Sequence, residues 1–479
     1  MIKSEIVNKY IFSIIILLIL FFVGFTSLDR SLWTDEAMIF VNISEVEFSD
    51  LLQPLPYYTQ ASPVLPLALQ SLASSIDSTG FFSLRLYTLL FSFFCICIFI
   101  LQLPKKILPH IWLLVLTLST IPFLYYSTEI KHYAFEFASS LFLILSFFSY
   151  LKKESRSAFI YSIISLLLGF SNVIPFGIML FLVLYFEIKD NKKDFSYYKY
   201  FIVSFLGLIT SYYYMKYLTE NQISSHDVYI SQGIISDTIT LLSSVIGAHG
   251  IYLILLTAIA LVYGLLSNKE SLYHKFSLFY LGIVFSVFVL KILSLYPIIS
   301  ARHVYWLLPF SVTLSAFLLQ YVIDNFNKTR IYIYIAFIFI LGFNSYIFIK
   351  TEENTANKSL IDKINIICDI DSVNIITPDW SNRVTSAYKS EIKKGCEVDT
   401  TPIKSINQEK DYRTDFLDNL ALFEDGSENY LVLSHIDIKK DYPYNDNGYY
   451  EFKNLLSDKG LNYKIYFYDK NVAILYIYK

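Results

Sequence analysis

Two adjacent carboxylates, Asp35 and Glu36, stand in the stretch Leu32-Trp33-Thr34-Asp35-Glu36-Ala37, a few residues after the first hydrophobic run. Such a pair can belong to a solvated loop, can cap a following helix, or can act as a general base with its neighbour. Three more short stretches put charge at the ends of apolar runs. Arg85 opens one run. Glu129, Lys131, His132 and Tyr133 fill a turn between two others, and Arg302, His303 and Tyr305 precede a fourth. Charge at membrane depth is costly and marks function or pairing. Each cation alone can be a snorkelling side chain or half of a salt bridge. As a set they point to a site for an anionic, membrane-embedded ligand, with carboxylates supplying a base and Arg, Lys and His supplying phosphate contacts.

The elements that must position these groups are apolar. The 479 residues are 55% hydrophobic and 18% aromatic, with only 16% charged, and the mean hydropathy is +0.48. This is the composition of a polytopic membrane protein with a more polar portion attached. The net charge of -3 gives no sign of a nucleic-acid partner. Runs long enough to cross a bilayer are expected at 11–27, 82–101, 111–127, 133–150, 157–171, 173–187, 199–217, 250–266, 277–295, 304–323 and 330–349, eleven in all. The stretch 236–247 reads as a further span or an interfacial helix, and the first run as a retained anchor.

Lys and Arg set the orientation. Lys3 and Lys9, Lys105 and Lys106, Lys152, Lys153 and Arg156, Lys189, Lys192, Lys193 and Lys199, Lys269 and Lys275, and Lys328 and Arg330 fall on alternate loops. Those loops are expected in the cytoplasm. The opposite loops carry isolated cations, and Asp35 and Glu36 lie with them, on the extracytoplasmic side of the plasma membrane. The first external loop, 28–81, is too aromatic and apolar for a linker and reads as short amphipathic helices lying in the interface.

The tail, 351–479, reads as a small extracytoplasmic α/β domain beside a membrane domain at 1–350. Strands are expected at Val373–Ile376 and Tyr430–Leu433, and a hairpin at Tyr463–Phe467 with Val472–Tyr476. Helical patterns lie near 356–367, 381–393, 406–421 and 449–458. Cys95 and Cys97 sit in an apolar run and read as small hydrophobes. Cys368 and Cys396 can pair if the tail lies outside. The chain shows no Gly-rich phosphate loop, no CxxC motif and no metal-ligand cluster.

Trp33-x-Asp35-Glu36-Ala37, Ser62-Pro63 ahead of a hydrophobic run, Leu84-Arg85-Leu86, Tyr126-Ser127-x-Glu129-x-Lys131-x-Tyr133 and Arg302-x-x-Tyr305-x-x-x-Pro309 follow one another in the chain. In that order they resemble the GT-C fold glycosyltransferases that use polyprenyl-phosphate sugars, among them the protein O-mannosyltransferases and the lipid A aminoarabinose transferases. The pattern departs from the family at Lys131, where Arg is common, at His303, where Tyr follows Arg, and at Ser62, where the aminoarabinose enzymes carry Lys. The resemblance implies a GT-C-like bundle and transfer of a sugar from a polyprenyl phosphate to a hydroxyl of a glycan, lipid or protein. It implies Asp35 as general base and Glu36 as an orienting group. Arg302, with His303 and Lys131, would stabilise the leaving phosphate, and Glu129 would hold Lys131 or Arg85. It implies inversion at the sugar carbon and no cofactor or metal. An O-antigen ligase or polymerase, or a lipid-glycan transporter built on inverted repeats and broken helices, are the alternative readings.

Overall fold

The computed structural model describes residues 18, 21–58, 60–76, 81–103, 120–189, 195–224, 234–293, 301–325, 330–350, 357–370, 373–401, 427–434, 456–469 and 472–478. Contacts divide the chain into two compact units, Met1–Leu28 with Ser62–Thr351, and Asp29–Ala61 with Glu352–Lys479. The acidic pair sits at the start of α1, Thr34–Glu45, in the second unit.

The first unit is helical. Its elements are α2 (Val64–Ile76), α3 (Phe81–Gln102), α4 (Ile121–Tyr126), α5 (Tyr133–Leu151), α6 (Ser155–Leu168), α7 (Val173–Lys189), α8 (Phe195–Ser224), α9 (Ile234–His249), α10 (Ile251–Leu266) and α11 (Leu272–Ile292). A 3-10 segment, Ala301–Leu307, then leads into α12 (Leu308–Asn325), which is followed by α13 (Arg330–Lys350). Among the described residues four helices are long and apolar enough to cross a membrane: Phe81–Gln102, Tyr133–Leu151, Leu272–Ile292 and Ala301–Asn325. A fifth candidate is α9 with α10, bent by 105° at Gly250, whose φ of 79° is one that glycine adopts readily. The expected runs at 157–171 and 173–187 carry helices of 14 and 17 residues, about 21 and 26 Å long. The expected runs at 11–27 and 111–127 lie partly outside the described residues.

Helix α5 is the buried centre of this unit. Serines at a spacing of seven form its seam with α6. The Ser139 hydroxyl donates to the Ser165 carbonyl at 2.6 Å, and the Ser146 hydroxyl donates to the Ala158 carbonyl at 2.9 Å and meets the Ser162 hydroxyl at 2.8 Å. Small polar residues at such a seam let two helices approach closely. The turn between α6 and α7 is held by Glu136 of α5, whose carboxylate accepts the Phe170 N–H at 2.7 Å and the Ser171 N–H at 3.2 Å.

In the second unit, β1 (Val373–Ile376), β2 (Glu428–Ser434), β3 (Asn462–Asp469) and β4 (Val472–Tyr478) form a sheet in the order β1-β2-β4-β3. The β1–β2 pair is parallel, and the two pairs involving β4 are antiparallel. Alternation puts Leu431, Leu433, Ala473, Leu475 and Ile477 in one core with Leu456 and Leu461. The expected hairpin forms, with its strands longer than expected, so that Asp469 pairs with Val472; Lys470 and Asn471 lie outside the described residues. Helices α14 (Asn357–Ile367) and α15 (Asp379–Ala387) complete the unit with α1 and a 3-10 turn at Phe48–Leu52. The helical pattern at 381–393 is cut short after Ala387, because Asn365 clasps the next turn, donating to the Glu391 carbonyl and accepting the Lys393 N–H. A Cys368–Cys396 disulfide closes that region. The expected helix at 406–421 and most of that at 449–458 lie outside the described residues.

Candidate active site

The first unit gathers the expected residues at the ends of α4, α5 and the 3-10 segment. The turn 127–132 joins α4 to α5, and Ser127, Thr128, Glu129 and Lys131 are buried in it. Tyr126 is the hub. Its ring lies 5.2 Å from Tyr133 and 4.8 Å from Tyr305, and both Glu129 and Arg302 act on its hydroxyl electrostatically. Tyr305 stacks on Phe137 at 5.6 Å, and His132 lies 5.0 Å from Tyr133. The Tyr305 hydroxyl is buried with no hydrogen-bond partner among the described residues. Glu129, Arg302, Tyr133 and Tyr305 are thus neighbours around one tyrosine, with His132 beside Tyr133.

Pro309 follows the 3-10 segment by two residues and brings no N–H to the helix ladder, which leaves carbonyls ahead of it open to other donors. The Ser140 hydroxyl fills this role, 2.8 Å from the Trp306 carbonyl. It also faces Asn172 Oδ1 at 3.1 Å and the Glu136 carbonyl at 3.2 Å, and its single proton can serve one of them at a time. Inside the segment the Trp306 indole N–H donates to the His303 carbonyl at 3.1 Å. These bonds fix the backbone that carries Arg302, His303 and Tyr305.

Arg85 is fully buried in α3 and donates to the Leu28 carbonyl at 3.2 Å. That carbonyl lies in the turn 26–29 that follows the helix at 21–25, so Arg85 ties α3 to this turn.

Asp35 and Glu36 lie in the second unit and differ from each other. Glu36 is fully buried, and its Oε2 accepts the Trp33 N–H at 3.3 Å, which is the returning half of a capping box. Asp35 is half-buried. Three residues earlier, Leu32 is gripped at both ends. Its N–H donates to the Tyr388 hydroxyl at 2.8 Å, and its carbonyl accepts from the Asn357 amide at 2.6 Å.

Sequence reasoning passed over Asp237 of α9 and Lys291 of α11, an ion pair at 3.7 Å with side chains only 3% and 6% exposed. Two single charges of opposite sign inside separate apolar runs were the signal available. It also left Tyr126 as part of a motif rather than as the hub of the cluster.

No protein-family model matches the sequence, and no curated protein matches it. Solved structures do. The apo crystal structure of ArnT from Cupriavidus metallidurans matches 99% of this chain and 98% of its own, with a TM-score of 0.59 at 9% sequence identity. The crystal structure of the same ArnT bound to undecaprenyl phosphate matches 98% of each chain, with a TM-score of 0.53 and again 9% identity. Along nearly its whole length the chain has the fold of ArnT, a GT-C fold.

Proposed function

We propose that this chain is an integral-membrane glycosyltransferase that moves a sugar from a polyprenyl-phosphate donor to a hydroxyl acceptor on the extracytoplasmic face. The observation that carries the reading is the shared fold over 99% of the chain with ArnT, one structure of which holds undecaprenyl phosphate. Eleven spans belong to this reading, with the N-terminus inside, a membrane domain at 1–350 and an external domain at 351–479. The disulfide in the tail supports an oxidising, external location.

In the reaction, Asp35 takes the proton of the acceptor hydroxyl as its oxygen attacks the anomeric carbon. The bond from that carbon to the phosphate oxygen breaks, and the lipid phosphate leaves with the electron pair. One displacement inverts the centre. The half-exposed Asp35 suits a base that must meet substrate, and the buried, cap-bonded Glu36 suits an orienting role. Arg302, with His303 and Lys131, carries the phosphate charge as it develops, and Glu129 keeps this cationic rim in order.

The test is mass spectrometry of cell-envelope glycans from a deletion strain complemented with the wild-type or the Asp35→Asn chain. The expected result is one sugar lost on deletion, restored by wild type and absent with Asp35→Asn at equal protein level. Glycans identical in all strains would end this reading. A lipid-glycan transporter is the second reading, favoured by the 105° break between α9 and α10; it would remove a whole translocated unit rather than a single sugar.

A further inference from the structure

Within the second unit, the main chain just ahead of the acidic pair is committed group by group to the C-terminal residues. Lys358 N–H donates to the Ser31 hydroxyl at 3.3 Å. The Leu32 N–H and carbonyl are taken by Tyr388 and Asn357, and all three residues are fully buried. The Trp33 N–H goes to Glu36. With residues 31–33 fixed, the direction in which α1 begins is fixed, and with it the Cα–Cβ vector of Asp35.

The grip is itself anchored to the sheet. The Ser381 hydroxyl, at the start of α15, donates to the Val432 carbonyl at 2.7 Å and accepts the Ser434 N–H at 3.0 Å, both on β2. Tyr388 is the C-cap of the same helix. Helix α1 is tied further along: Asn42 clasps the Tyr57 backbone at 3.1 and 3.2 Å, and the Tyr58 hydroxyl donates to Asn382 of α15 at 2.9 Å. A continuous path of buried hydrogen bonds therefore runs from β2 through Ser381, α15 and Tyr388 to Leu32, three residues from Asp35.

We propose that the C-terminal residues serve the transfer reaction by positioning the acidic pair, with Tyr388 and Asn357 as the positioning residues. Neither side chain touches the reacting atoms; each acts through the Leu32 peptide. The inference rests on the role of Asp35 given above. It adds that the α/β portion is a jig for the base, rather than only a solubilising appendage.

The experiment uses the full chain with Tyr388→Phe and, separately, Asn357→Asp. Each keeps the shape and removes one donor or acceptor from the Leu32 grip. Hydrogen exchange over residues 29–37 should quicken by roughly 10- to 100-fold, the scale set by leaving a buried backbone group unsatisfied. Binding of undecaprenyl phosphate, used as the probe, should match wild type, while the sugar-modified glycan in complemented cells falls at least tenfold at equal protein level. Unchanged exchange, or unchanged glycan, overturns the proposal. Loss of probe binding together with a lowered melting temperature overturns it too, because a purely structural role would do that. If one variant fails to fold, the other decides. A fully active Asp35→Asn chain would sink the role of the base, while exchange in Tyr388→Phe would still decide whether the grip exists.

Discussion

Glu136 is the rival to Asp35 among the acids of the first unit, and its surroundings make it a bracket. Its carboxylate takes the Phe170 N–H at 2.7 Å and the Ser171 N–H at 3.2 Å in the turn between α6 and α7. A Cβ on Gly169 would collide with the same carboxylate. Glu136→Leu keeps most of the volume but takes the carboxylate acceptor from two part-buried N–H groups. At about 1–3 kcal/mol each the gross loss is about 2–6 kcal/mol. Relief from burying a carboxyl group offsets part of that, so a net destabilisation of about 2–4 kcal/mol is expected. Glu136→Gln keeps one acceptor and should lose about half as much. Gly169→Ala should destabilise through overpacking by about 1–3 kcal/mol. Denaturant titration in detergent, followed by tryptophan fluorescence, measures all three. Leu and Gln variants both within about 0.5 kcal/mol of wild type would refute the bracket. So would a Gln variant of wild-type stability that transfers no sugar, because Glu136 would then be acting chemically.

Arg302→Ala should weaken undecaprenyl phosphate binding by about 1.5–3 kcal/mol, the value of a hydrogen bond to a charged group, and Arg302→Lys should recover only part for want of the planar fork; titration calorimetry reads this, and unchanged affinity makes Arg302 a structural cation. Asp35→Asn should lower transfer by about 10²–10⁴-fold, whereas Glu36→Gln should be milder in transfer and show a loss of stability from the weakened cap; a dead Glu36→Gln beside an active Asp35→Asn reverses the two roles. Removing the Cys368–Cys396 bond, whose ends are 28 positions apart, should destabilise the second unit by about 3–4 kcal/mol, checked by proteolysis with and without reductant. A cysteine introduced near Asn447 should react with an impermeant thiol reagent on intact spheroplasts; reaction only after the membrane is broken would reverse the orientation.

Local patterns were legible in the sequence, and long-range partners were not. The β3–β4 hairpin follows from two apolar and aromatic runs around a short polar connection, and α5 follows from an apolar run of spanning length. The break at Ser171-Asn172 was visible as polar residues between two apolar runs. That Glu136 holds this break was not, because a side chain bonding backbone 34 residues away leaves no periodic trace. The acids and cations of the first unit were found because charge in an apolar run stands out. Asp237 and Lys291 escaped because each looks like a single lapse until their helices are seen to pack together. The grouping of 29–61 with the C-terminal residues depends on contacts hundreds of positions apart, which neither composition nor period encodes.

The Leu32 grip also imposes an order of events during synthesis. Its two partners lie 325 and 356 residues downstream. At about 5–20 residues per second, a nascent chain carries Leu32 without them for roughly 16–70 s. Throughout that interval the start of α1 lacks the bonds that fix it, and contacts of such separation are the slowest to close. On the role proposed for Asp35, the base is therefore set last, although it is encoded almost first. A chain cut short before Tyr388 would lack the Leu32 grip, and on the function proposed above such unfinished copies would carry no stray transfer activity.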